Sequence, residues 1–216
     1  MKAITVKSIG LLVLVVSMVS FWNCDNNAIT SPEDNPAMST LKQAVPAEEI
    51  TWASWSPDVL ASLKDADQTT LEKKNKNAWG KLKNTESKLI SREKGGKVGS
   101  NGQTCNNYVE IPQYALIPAE ETITVTVLEM ADEKTQAAPG VDFLPNMEFD
   151  KNVIITLSWE FLDVDQNKPW NKLDLVIYFS EDGGTSWFPV DKYSVNNGQK
   201  TLSFEIDHFT RYAWGF

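Results

Sequence analysis

The sequence predicts an all-β fold, an antiparallel β-sandwich preceded by a disordered tether and a short helical region. Three observations predict it. From Gly95 to Phe216, short runs alternate apolar and polar residues with the period of two expected of half-buried strands. Clusters of Gly, Asn, Asp and Pro punctuate those runs, as turns between strands require. No repeat period appears, which sets aside a propeller or a solenoid.

Tyr108-Val109-Glu110-Ile111-Pro112 reads as a short strand, and Thr122 to Leu128 alternates hydroxyl and apolar residues as a longer one. Pro139, Gly140, Pro145 and Asn146 read as loop, with Met147-Glu148-Phe149 as a short edge strand before the strand Asn152 to Phe161. Leu173 to Ser180 and Trp187 to Tyr193 flank the turn Glu181 to Ser186, a hairpin by its Asp-Gly-Gly chemistry. Asn196-Asn197-Gly198 makes a second turn before Lys200 to Ile206, and Thr210 to Trp214 closes the domain.

The N-terminal part has a different character. Lys2 and Lys7 precede an apolar run from Ile9 to Trp22 that is too short to span a bilayer, the layout of an export signal over residues 1–23. Cys24 follows, and with Asp25-Asn26-Asn27 after it the site resembles that of a bacterial lipoprotein, in which this Cys becomes the lipidated first residue. Phe21, Trp22 and Asn23 stand where that pattern has small residues. Residues 24–50 are rich in Asn, Ser, Pro and Glu and read as the tether. Residues 51–94 read as a helical and linker region: Ser56-Pro57 is a helix start, and Leu, Ala, Lys and Glu dominate from Asp58 to about Ser91. Lys73, Lys74, Lys76, Lys81 and Lys83 within it read as a solvated face, in preference to a contact with phosphate or acidic glycans.

Composition bounds the partners. The chain carries a formal net charge of −9, which argues against nucleic acid as a partner. Cys24 and Cys105 are its only cysteines, so no disulfide framework holds the fold. With Cys24 acylated, Cys105 is a lone thiol; otherwise a bridge between the two is open in an oxidising compartment.

The stretches Gly95 to Val98, Val109 to Pro112 with Ala115-Leu116, Glu121 to Val125, Phe149 to Val153, Leu173 to Tyr178 and His208 to Ala213 together resemble, in order and spacing, the ZU-five domain. This is a β-sandwich of zona-occludens and netrin-receptor proteins. The resemblance covers about Gly95 to Phe216, so residues 95–216 are expected to be the domain. An insertion near Ala131 to Pro139, and Gln113-Tyr114 in place of a common Pro-Gly, depart from it. Family members are mainly interaction modules, so the resemblance implies binding without catalysis.

Several motifs bear on chemistry. Ser180-x-Asp182-x-Gly184-x-Ser186-Trp187 fits the Asp-box of secreted β proteins, in which the Asp accepts backbone N–H groups and the Trp packs under the hairpin. The reading is a structural turn made by Ser180, Asp182, Gly184 and Trp187. His208 is the only histidine, which excludes metal sites built on paired histidines. His208-Phe209-Thr210 resembles the His-Phe-Ser site at which some animal ZU-five domains cut their own backbone, so Thr210 attacking the Phe209 carbonyl is the one catalytic alternative. Asp163-Val164-Asp165-Gln166-Asn167 has the alternating oxygens of a calcium loop, but Lys168 and Pro169 break the pattern, and no metal or cofactor is expected. Of the eight tryptophans, Trp159 and Trp187 read as core, and Trp170 is the best candidate for a loop platform that would bind a ligand, with Trp52 and Trp55 next.

The sequence thus leads to an expected function: a non-enzymatic, membrane-tethered module of the cell envelope, an outer-membrane or cell-surface lipoprotein binding a protein or surface component. The alternative is a glycan-binding accessory module.

Overall fold

The computed structural model describes residues 43–67, 84–130 and 138–216. The signal, Cys24, the tether as far as residue 42 and the lysine run from Lys73 to Lys83 lie outside the described residues. In chain order the elements are β1 (Val45–Pro46), α1 (Pro57–Asp67), β2 (Thr85–Ser91), β3 (Gly96–Val98), α2 (Asn101–Thr104), β4 (Tyr108–Ile111), β5 (Glu120–Met130), β6 (Ala138–Leu144), β7 (Glu148–Ser158), β8 (Val176–Ser180), β9 (Ser186–Pro189), β10 (Ser194–Asn196), β11 (Thr201–His208) and β12 (Arg211–Gly215), with single 3₁₀ turns at Ala47–Glu49 and Trp170–Lys172.

The strands form a seven-stranded sheet, β1-β9-β8-β12-β6-β5-β2, and a five-stranded sheet, β10-β11-β7-β4-β3, antiparallel throughout. Alternation decides which side chains lie between them. In β5, Ile123, Val125 and Val127 are fully buried while Thr122, Thr124 and Thr126 face outward; β7 buries Val153, Ile155 and Leu157 from the other sheet. Phe143 of β6, Phe209 and Tyr212 join these residues in one core cluster.

The folded unit starts much earlier than the expected Gly95: the compact unit is Leu41–Phe216. The last part of the expected tether is ordered against the sheet, with Val45 paired to Trp187 in β9 and Ile50 buried. The expected helical region is also corrected at its end. The helix stops at Asp67, and Thr85–Ser91 is a strand whose residues pair with Ser91 opposite Glu120 through Thr85 opposite Thr126. As an edge strand it buries Ile90 and leaves Ser87, Lys88 and Leu89 exposed, so its polar composition carried no strand signal.

A second correction concerns Pro139-Gly140, read as loop but inside the central strand β6. Pairing of β6 with β12 ends at Gly140 opposite Ala213, next to a proline that has no N–H to give. Beyond that point the N-terminal segment takes over the backbone of β12: the Ala53 N–H donates to Trp214 O at 2.9 Å and the Phe216 N–H to Thr51 O at 2.8 Å. This close approach needs Gly215, where an added Cβ would lie 2.6 Å from Ile50 Cγ2. Gly215→Val is therefore expected to lift the N-terminal segment, read as increased amide exchange at Ala53 and Phe216 with the rest of the sandwich protected.

Candidate functional site

Two of the motifs that the sequence marks, the Asp-box turn and His208-Phe209-Thr210, meet at one end of the seven-stranded sheet. Asp182 Oδ1 accepts the Thr185 and Ser186 N–H groups, both at 2.9 Å, and the Ser180 hydroxyl at 2.8 Å. The Gly184 N–H donates to Ser180 Oγ at 2.7 Å, and Gly183 and Gly184 take the positive φ values of 78° and 111° that the turn requires. Trp187 folds under it, its indole N–H on Gly184 O at 2.9 Å. Arg211 locks the turn to the sheet. Its guanidinium makes a two-pronged contact with Asp142, at 2.6 and 2.8 Å, and donates to Gly183 O at 2.8 Å.

Every donor around Asp182 is thus spent on the turn itself. These contacts, the Ser186 N–H first, hold its carboxyl down at about 2. A carboxyl depressed when folded contributes stability above its unfolded value of about 3.9, and loses it as pH falls through about 2. Asp182→Asn is expected to flatten the drop in melting temperature of the wild-type chain between about pH 4 and 2; thermal melts across that range would show it.

His208 lies beside the same turn, with Nδ1 2.7 Å from Asp207 Oδ1 and Nε2 3.3 Å from Glu181 Oε1. The hydrogen bond to His208 draws the Asp207 carboxyl below the usual carboxylate range. Phe209 is fully buried, against Phe143 and Phe149. The Thr210 hydroxyl donates to Ser180 O, so it ties the start of β12 to the end of β8. Thus His208 faces carboxylates on both ring nitrogens, and the Thr210 hydroxyl faces a carbonyl of another strand.

The three tryptophans expected to serve as ligand platforms are interior. Trp170 is 6 % exposed, Trp52 6 % and Trp55 1 %. Trp170 packs on Trp159 at 5.1 Å and gives its N–H to Tyr193 Oη at 3.1 Å; Trp52 packs edge-on to Trp187 at 5.0 Å, and Trp55 edge-on to Trp214 at 5.5 Å. Burying a tryptophan removes more apolar surface from water than burying any other side chain, and that gain decided their place. In the acidic loop, Asp165 accepts the Asn167 N–H at 3.1 Å and lies 3.9 Å from Lys168 Nζ. Among the described residues, no group of three His, Cys, Asp or Glu side chains converges.

Cys105 is fully buried in the left-handed residue that ends α2, and desolvation pushes its thiol up to about 12. Its peptide is expected to resist iodoacetamide at pH 8 in the folded chain and to be fully alkylated in denaturant, as peptide mass mapping would report.

The described residues also line concavities. One, of about 300 Å³, lies beside the Asp-box turn between Trp52, Trp187, Glu129 and Arg211. Another, of about 450 Å³, opens on the five-stranded sheet and is lined by Lys97, Asn106, Tyr108, Glu160, Gly198, Gln199 and Lys200. Sequence reasoning missed this groove, whose walls come from four separate segments. No family model matches this chain, and no curated protein matches it either.

Proposed function

We propose that this protein is a non-enzymatic module tethered to the bacterial cell envelope, where its sandwich binds a protein or another surface component. The observation that carries the reading is the state of the reactive groups. Asp182, Arg211 and Thr210 each hold one strand or turn to another, and Cys105 is sealed in the core. A scaffold whose polar side chains are spent on its own loops is suited to presenting surfaces. The export layout before Asn23 and Cys24 supports the tether, and the ZU-five-like order of motifs supports a binding role. The glycan alternative keeps its place through the polar groove, since Trp170, Trp52 and Trp55 are buried. Self-cleavage between Phe209 and Thr210 ranks below both, because Thr210 gives its hydroxyl to Ser180 O.

The test uses the full chain with Cys24→Ala, which removes the acylation site and leaves the described fold untouched. Expected is release into the soluble fraction, followed by saturable co-sedimentation when the chain is added back to envelopes of its own host. No co-sedimentation would overturn the binding reading.

A further inference from the structure

We propose that the groove between Tyr108, Glu160 and Lys200 is a binding site for a neutral glycan, held through its ring hydroxyls. The inference rests on the binding-module reading and names the ligand class.

The groove lies where the start of β4, the residues just after β7 and the β10–β11 turn meet. Its free groups are of complementary kinds. Among the described residues, no ion pair or hydrogen bond engages the side chain of Glu160, Lys200 or Asn106, whereas Lys97 is already committed, 3.1 Å above the Tyr108 ring and 3.6 Å from Glu110. A carboxylate only accepts, an ammonium only donates, and an amide does both. A sugar hydroxyl also does both, so adjacent hydroxyls on one ring satisfy Glu160 and Lys200 together. A phosphate-bearing ligand would meet the Glu160 carboxylate and a Lys97 already paired with Glu110, and a lipid would find little apolar wall. The volume of about 450 Å³ falls within the usual range for small-ligand sites.

The backbone adds an independent observation. Asn106 and Lys200, which both line the groove, are non-glycine residues in the left-handed region, at φ of 59° and 53°. Asparagine enters that region readily, but lysine is strained there, and glycine would not be. Gly198 stands two positions earlier in the same turn. A side chain retained at a strained position on a groove wall is what a ligand contact would require.

Beside the groove runs a row of hydroxyl side chains that starts at Tyr108 and whose Thr156 is only 2 % exposed. Tyr108 is opposite Thr156, Thr156 opposite Ser203, and Ser203 opposite Ser194, a polar row crossing four strands with Thr156 Oγ1 and Ser203 Oγ 2.8 Å apart.

The test is native affinity electrophoresis of the full Cys24→Ala chain through gels containing laminarin, xylan or dextran, with Lys200→Gly and Glu160→Ala made in that background. Expected is retardation by at least one of these polysaccharides and at least a tenfold weaker apparent affinity in both variants. Lys200→Gly should at the same time raise the melting temperature, because glycine relieves the left-handed strain. Unchanged mobility in all three gels, variants retarded like the parent, or retardation abolished by free glycine, a zwitterion, but not by free sugar would each overturn the glycan site. If the parent chain still co-sediments with envelopes under any of those outcomes, the groove fails and the binding module stands. Loss of co-sedimentation by the parent itself overturns the module.

Discussion

Replacing Trp55 with alanine is expected to lower the unfolding free energy by about 3–5 kcal/mol, a large share of the total for a domain of this kind. Trp55 is fully buried, packs edge-on to Trp214, and donates its indole N–H to Leu128 O at 2.9 Å. Its backbone bridges to Leu162, so one residue joins the N-terminal segment to β5, β12 and the loop after β7. Alanine would leave a cavity at that junction and an unpaired carbonyl on Leu128. Urea denaturation would measure the loss. The same geometry predicts that a chain starting at Gly95 fails to fold, since it lacks Trp55, Ile90 and the whole of β2.

Asn107→Ala is expected to cost about 2–4 kcal/mol although it removes only a small polar side chain. Asn107 is fully buried. Its Oδ1 accepts the Ser158 N–H at 2.9 Å, and its Nδ2 donates to Thr104 O at 2.7 Å and Cys105 O at 3.2 Å. Truncation would leave buried backbone groups on two segments without partners, where water cannot reach them. Asn196→Ala, in the exposed β10–β11 turn, removes a comparable pair of contacts to Gln199 and is expected to cost less than about 1 kcal/mol, because solvent replaces them. Equal losses in parallel denaturation curves would contradict the burial account.

These effects show what the sequence could and could not reveal. The strands of the core were legible where one face is buried and the other wet, as in Thr122 to Leu128, because the alternation survives in the composition. The Glu181 to Ser186 turn was legible because its hydrogen bonds are local. β2 was not, since an edge strand with one deeply buried residue resembles a solvated helix in composition. β6 was hidden by Pro139 and Gly140, whose tolerance depends on a segment some eighty residues away in sequence taking over the pairing, as Ala53 does with Trp214. The tryptophans carried no information on exposure: Trp52 and Trp170 flank polar stretches yet lie inside. The groove was illegible because Tyr108, Glu160 and Lys200, far apart in sequence, meet only once β4, β7 and β11 pair side by side.

The central claim, a tethered and catalytically silent module, is tested most directly by intact mass of the chain expressed with its own leader, in membrane and soluble fractions. The account predicts a membrane species that begins at Cys24, carries acyl mass and runs uncut to Phe216. A soluble species with a different start, or a break between Phe209 and Thr210, would contradict it.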